Sequence, residues 1–173
     1  AKSWLLIESG SGQTLASQAE DERIEPASLT KLMTAYLTFA ALKQGTLKID
    51  QGITVSERAW RTGGSKMFIR VGHQVPVEDL IKGMIVQSGN DACVALAEGI
   101  AGSEENFAQM MNREAQRLGM KASSFRNSTG LPDPQHYTTA RDLATLAGAL
   151  IRDFPEDYAK YYTIKEFRYN NIT

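Results

Sequence analysis

The sequence predicts an α+β fold, a helical lobe packed on an antiparallel sheet of which only the early strands are present. Three observations carry this. An apolar, glycine-containing, apolar segment opens the chain, five stretches of helical apolar periodicity follow it, and 173 residues suit one main core rather than several. With 42% apolar and 23% charged residues the composition is that of a folded protein, and no run approaches the roughly 18 apolar residues of a membrane span.

Trp4-Leu5-Leu6-Ile7, then Ser9-Gly10-Ser11-Gly12, then Gln13-Thr14-Leu15-Ala16 read as strand, turn and strand, a β-hairpin. The glycine pair is a turn and not a phosphate loop, because no Lys-Ser/Thr pair follows it. Pro26-Ala27-Ser28 leads into a helix from Leu29 to Lys43. Its apolar residues Leu32, Met33, Tyr36, Leu37, Phe39, Ala40 and Leu42 cover most of the circumference, so the helix is largely buried, and Gly45 stops it. The β-like run Ile53-Thr54-Val55 and the turn residues Gly63-Gly64 separate it from a second helical region. That region comprises Pro76 to Val86, with Pro76 suited to a first turn, and Asp91 to Ile100, broken at Ser88-Gly89-Asn90. Ser103 caps a helix with Glu104 and Glu105 in its first turn, running to Leu118 before Gly119. Thr139 with Asp142 resembles a capping box for a helix that reaches Arg152 and is ended by Pro155. Beyond it, Tyr158, Tyr161, Tyr162, Phe167 and Tyr169 predict a return to strand.

Lys plus Arg is 19 and Asp plus Glu is 20, a formal charge of -1, without the basic excess that phosphate-backbone binding requires. Nucleic acid is therefore not an expected partner. Cys93 is the single cysteine, so no internal disulfide forms and the redox compartment is not legible. With only His73 and His136 beside it, zinc lacks a ligand set, and no metal or cofactor is expected. No charged stretch followed by an apolar segment opens the chain at Ala1, so a signal peptide is expected to have been removed or never present, and export stays open.

Ser28-Leu29-Thr30-Lys31 is an S-x-x-K tetrapeptide at the start of the apolar helix, which sets a hydroxyl and an amine one turn apart on one face. Serine becomes a nucleophile when a neighbour takes its proton, and lysine does so when burial and the positive helix N-terminus lower its pKa. Lys31 is therefore expected to be neutral or easily neutralised. Twelve serines and nine lysines give roughly 0.6 chance matches, so the tetrapeptide alone is weak, and a capping serine with a snorkelling lysine is the plain alternative. Ser88-Gly89-Asn90, the one S-x-N in the chain, falls at a helix break where side chains can point into a cleft.

These motifs, in this order and about sixty residues apart, resemble the low-molecular-mass penicillin-binding proteins, specifically the D-alanyl-D-alanine carboxypeptidases. Pro26-Ala27-Ser28-Leu29-Thr30-Lys31, Gln87-Ser88-Gly89-Asn90-Asp91-Ala92, Val75-Pro76-Val77 and Thr139-Ala140-Arg141-Asp142 carry the likeness, which extends from near Trp4 to the C-terminal end. The resemblance implies a β-lactamase/penicillin-binding-protein-like fold. It implies Ser28 as acylated nucleophile, Lys31 as its general base, Ser88 relaying a proton to the leaving amine, and Asn90 hydrogen-bonding the substrate peptide. The Ser28 backbone N–H would be one oxyanion donor. The implied substrate is a peptidoglycan stem peptide ending in D-Ala-D-Ala, with β-lactams acylating Ser28 as mimics. The implied location is the periplasm or cell surface, with a possible membrane tether outside this chain.

The family's third motif, K-T-G on a strand after S-x-N, does not occur. Arg61-Thr62-Gly63 is similar but precedes Ser88 in a glycine-rich connection, and reads as a decoy. Residues 1–173 are thus expected to be the N-terminal part of a single D,D-peptidase catalytic domain, cut before the K-T-G strand. The remainder is expected as a second segment or chain, without which stable folding is doubtful. A β-lactamase is one alternative, but the E-x-x-L-N segment of class A enzymes is missing, with Ser123 and Ser124 upstream of Asn127 in place of its carboxylate. A non-catalytic receptor for penicillin or cell-wall peptides is the other, and the intact Ser28, Lys31, Ser88 and Asn90 argue against it. Cys93 reads as a buried hydrophobe, Met110 and Met111 as core filler, and His136 as a solvated surface residue. Glu104, Glu105, Asp153, Glu156 and Asp157 read as solvated helix ends.

Overall fold

The computed structural model describes residues 1–170. Strands β1 (Trp4–Ile7) and β2 (Thr14–Gln18) form an antiparallel hairpin in which Trp4 faces Gln18 and Leu6 faces Ala16. The register shifts at Ile7, which pairs with Thr14 and leaves Leu15 as the extra residue of a bulge. The Glu8 carboxylate closes the turn by accepting from the Gly10 and Ser11 amides at 2.9 and 2.6 Å, so the glycine pair is a turn as expected.

A 3₁₀ turn at Ala27–Thr30 runs into α1 (Lys31–Gln44), so the α-helix begins at Lys31 rather than at Leu29. Lys31, Met33 to Phe39 and Ala41 are all buried, and α1 packs against α-helices on several sides, as its near-continuous apolar surface requires. The β-like run at Ile53 is a strand as expected, but its partner strand and the short helix between the two were not expected. Strand β3 (Gly52–Thr54) pairs antiparallel with β4 (Gln74–Pro76), and the short α2 (Glu57–Arg61) lies between them, capped by Ser56, whose hydroxyl accepts from the Ala59 amide at 3.0 Å. Pro76 therefore ends a strand and precedes α3 (Val77–Gln87), instead of occupying its first turn.

Helix α4 (Asn90–Ala101) is the second buried helix, with every residue from Asn90 to Ala97 in the interior. Ser103 and Thr139 cap α5 (Glu104–Leu118) and α6 (Ala140–Asp153) by accepting from the third amide onward, both at 3.1 Å. The Asp142 carboxylate does not close a capping box. It turns outward to accept from the Ala122 amide and the Ser123 hydroxyl at 2.9 and 2.6 Å. After Phe154 the chain forms α7 (Pro155–Tyr161), correcting the expected strand. Tyr158, Tyr161 and Tyr162 recur at helical spacing. Tyr161 stacks on Phe39 in the core, and Tyr158 stacks on Tyr162.

The hairpin β1–β2 lies against α6, the β3–β4 pair against α4, and the core fills the space between α1, α3, α4 and the later helices. Among the described residues no helix is long and apolar enough to cross a membrane.

Candidate active site

Ser28 lies in the exposed 3₁₀ turn, immediately after Ala27, whose φ of 48° is in the left-handed region that a side chain disfavours. Lys31, three residues on, is only 9% exposed. Its Nζ donates to the Thr129 carbonyl at 3.1 Å and pairs with no carboxylate among the described residues. Burial holds its pKa below the ordinary lysine value. The nearby Cys93 thiol, which would oppose this as a thiolate, is itself buried and pushed up to about 12. The sequence expectation of an easily neutralised amine thus has a structural cause. No hydrogen bond joins the Ser28 and Lys31 side chains.

Thr129 belongs to a loop strapped over the start of α1. Asn127 forms the loop's hub. Its Oδ1 accepts from the Gly130 amide at 2.7 Å and its Nδ2 donates to the Leu131 carbonyl at 2.9 Å. The Ser128 carbonyl accepts from Thr34 Oγ1 at 2.7 Å, while the Ser128 hydroxyl donates to Glu104 at 2.6 Å. Gly130, at φ 89°, sits so close to the Ala27 carbonyl oxygen that a Cβ there would collide with it. Glycine is required at this position for both its backbone angle and its closeness.

His136 is 3% exposed, which corrects its reading as a solvated residue. Its Nδ1 accepts from the Arg126 amide at 2.9 Å, which leaves Nε2–H to donate to Thr30 Oγ1 at 2.7 Å. It therefore joins the 126–131 loop to the turn that carries Ser28, as a neutral imidazole whose pKa burial lowers. Glu104 is likewise buried, between Ser128 and Arg58, and Asp153 accepts from the Tyr36 hydroxyl at 2.7 Å. Glu104 is therefore not the solvated helix end that its sequence position predicts, whereas Asp153 stays partly exposed at the end of α6. Cys93 and Met111 are fully buried, as expected.

Ser88 ends α3 at φ 52° and ψ 38°, another side chain in the left-handed region, and its hydroxyl makes no hydrogen bond among the described residues. Asn90 opens α4. Its backbone amide donates to the Ser65 carbonyl at 2.7 Å and its Nδ2 to the Gly63 carbonyl at 2.8 Å, so the connection after α2 is folded onto the S-x-N segment. Arg61 ends α2 and Thr62-Gly63 opens that connection, so the Arg61-Thr62-Gly63 string lies outside any strand. The Asn90 Oδ1 is buried without a partner among the described residues. Lys31 thus meets the 126–131 loop at Thr129, while Asn90 meets the connection after α2, where a Cβ at Gly64 would collide with the Asn90 side-chain amide. Ser28 lies in the turn that precedes Lys31, Ser88 lies two residues before Asn90, and none of the cavities among the described residues is lined by all four.

Sequence reasoning missed Thr129, Asn127, His136 and Glu104 as parts of this site. The signal available for the first two was the turn-forming run Asn127-Ser128-Thr129-Gly130. His136 and Glu104 carried none.

A buried lysine one turn after an exposed serine, on a central helix crossed by an S-x-N break, defines the helical part of the penicillin-binding, β-lactamase-like fold. Penicillin-binding protein 5 from Haemophilus influenzae superposes with a TM-score of 0.96 at 44% identity, over 99% of this chain and 51% of that one. Penicillin-binding protein 6B from Escherichia coli gives 0.94 at 42% identity, over 99% and 56%. The family model described as D-alanyl-D-alanine carboxypeptidase matches residues 1–173, and the chain belongs to that family, the low-molecular-mass penicillin-binding proteins. The D-alanyl-D-alanine carboxypeptidase DacC of Escherichia coli is 47% identical over 99% of this chain and 44% of its own length. The chain thus spans under half the length of the curated relative.

Proposed function

We propose that the protein containing this chain is a serine D,D-carboxypeptidase that removes the terminal D-Ala from peptidoglycan stem peptides, and that β-lactams acylate it at Ser28. The observation that carries this is Lys31, an amine desolvated on a helix start beside an exposed serine, held by a neutral carbonyl instead of a carboxylate. A lysine so placed gives up its proton readily, which is what a general base requires and a structural ion pair does not.

In the reaction, Ser28 Oγ attacks the carbonyl of the penultimate D-Ala while its proton passes to Lys31. The Oγ–C bond forms and the carbonyl oxygen takes negative charge, stabilised by the Ser28 N–H. The C–N bond then breaks, and the proton travels through the Ser88 hydroxyl to the leaving D-Ala amine. Water hydrolyses the resulting ester by the same proton route in reverse. The Asn90 Oδ1, buried without a partner among the described residues, is the acceptor proposed to meet an N–H of the bound peptide once the site opens to admit it. Removing an oxyanion donor in sites of this kind costs about 2.7–4 kcal/mol.

The rest of the catalytic domain, including the K-T-G strand, is proposed to close the open side of Ser28. The hairpin supports this with an outer face that still exposes Trp4 and Leu6. A periplasmic or cell-surface site of action is part of this proposal, because the peptidoglycan substrate lies there. The test is intact mass of the full-length protein after exposure to penicillin. A long-lived adduct on the peptide containing Ser28, absent from Ser28→Ala, is the expected result, and an unmodified serine or loss of the adduct within seconds overturns the reading.

A further inference from the structure

One segment beside the site holds an aromatic ring outward at a conformational cost. Phe68 adopts φ 63°, in the left-handed region where a bulky side chain is strained, yet its ring is 55% exposed. Its neighbours Met67 and Ile69 are buried. The buried Asp91 carboxylate enforces this arrangement, since Oδ1 accepts from the Met67 amide at 3.0 Å and Oδ2 from the Ile69 amide at 3.2 Å. One carboxylate thus clamps both sides of Phe68 and turns it out. Trp60, on α2, is 48% exposed and lines the same hollow of about 280 Å³, together with Lys66, Ile69 and Arg70. Lys66 Nζ donates to the Trp60 carbonyl at 3.3 Å and fixes one wall to the other. Neither Lys66 nor Arg70 has a carboxylate partner among the described residues, and no carboxylate lines the hollow.

We propose that Trp60 and Phe68 form a platform for the amino-sugar strand of the peptidoglycan, with Lys66 and Arg70 meeting the carboxylates of the attached peptide. The proposal rests on the stem-peptide reading above. Flat aromatic faces suit the C–H face of a pyranose ring, and uncompensated cations suit a polymer bearing carboxylates. The connection that carries the platform also receives both Asn90 hydrogen bonds, at Gly63 and Ser65, so a strand seated there is delivered to the S-x-N side of the site. Holding the polymer raises the local concentration of its stem peptides without a contact at Ser28.

The experiment is co-sedimentation of the full-length protein with purified sacculi, run beside penicillin acylation and thermal melting. Phe68→Gly relieves the backbone strain while deleting the ring. It is expected to melt no lower than the parent, keep its acylation rate, and bind sacculi about tenfold more weakly when combined with Trp60→Ala. Trp60→Ala alone and Arg70→Glu should each weaken sacculus binding with acylation intact. Parental sacculus binding by the double variant overturns the platform. So does a loss confined to anionic phospholipid vesicles, which would make the membrane surface the occupant. Failure of the parent to be acylated would instead sink the active-site reading, and acylation is scored separately from sedimentation.

Discussion

At the scale of single residues, the site depends on how Lys31 is kept from being an ordinary surface ammonium. Its only polar partner among the described residues is the Thr129 carbonyl, which offers an acceptor without a compensating charge. Lys31→Ala in the full-length protein should lower the rate of acylation by a fluorescent penicillin by about a hundredfold or more, with Ser28 still present. Lys31→Arg should fail similarly, because a guanidinium does not deprotonate. The pH dependence follows from the direction of the shift. Lys31 must be neutral to accept a proton and its pKa lies below 10.5, so acylation should rise with pH along a limb centred below that value. A limb centred at or above 10.5 contradicts a desolvated base. Ser28 and Lys31 were legible in the sequence because the three-residue spacing on a helix is a local property. The Thr129 carbonyl is 98 residues distant, and a backbone acceptor carries no mark of its role in the residue type.

At the scale of elements, the strap formed by residues 126–131 determines whether the start of α1 is held in place. Two groups lock it, Gly130 against the Ala27 carbonyl and His136 between the Arg126 amide and Thr30. Gly130→Ala should therefore displace the serine turn, with acylation falling along with the melting temperature. His136 gives a pH test. Its folded pKa lies below the 6.5 of a free imidazole, so between the two values the unfolded chain binds more protons. The stabilisation is full above about pH 6.5 and is lost as pH falls through the folded value. Melting temperature followed from pH 7.5 to 5 should drop for the parent and drop less for His136→Gln, whose amide neither titrates nor loses its acceptor. Equal slopes would show that His136 does not titrate in this range. Capped helices were the most legible elements, Ser103 and Thr139 marking α5 and α6 correctly. Helix α7 was misread because tyrosines favour strands on average, whereas here Tyr161 finds its partner in Phe39 across the core. Strand β4 and helix α2 were missed because three to five residues give no period to read.

For the whole molecule, the hairpin is where the lobe is least self-sufficient. Leu5 and Ile7 face α6, whereas Trp4 and Leu6, two residues apart on the other face, are exposed, as are Leu15 in the bulge and Leu29 beside Ser28. Burying a side chain of this size contributes about 1.5–3 kcal/mol, and a two-stranded sheet with an open apolar face lacks that contribution at several positions together. We propose that the rest of the catalytic domain covers this face and also completes the site at Ser28, so that folding and catalysis depend on the same packing partner. Residues 1–173 expressed alone should bind the dye ANS, melt broadly by circular dichroism and acylate slowly with penicillin. The full-length protein should exclude the dye, melt sharply and acylate fully. Adding the remaining segment in trans should quench the dye and restore acylation in parallel, since one interface governs both. A lone chain that is monomeric, melts cooperatively and turns over a D-Ala-D-Ala peptide at the full-length rate would mean that the exposed face needs no partner and that the helical lobe builds a complete site from its own residues.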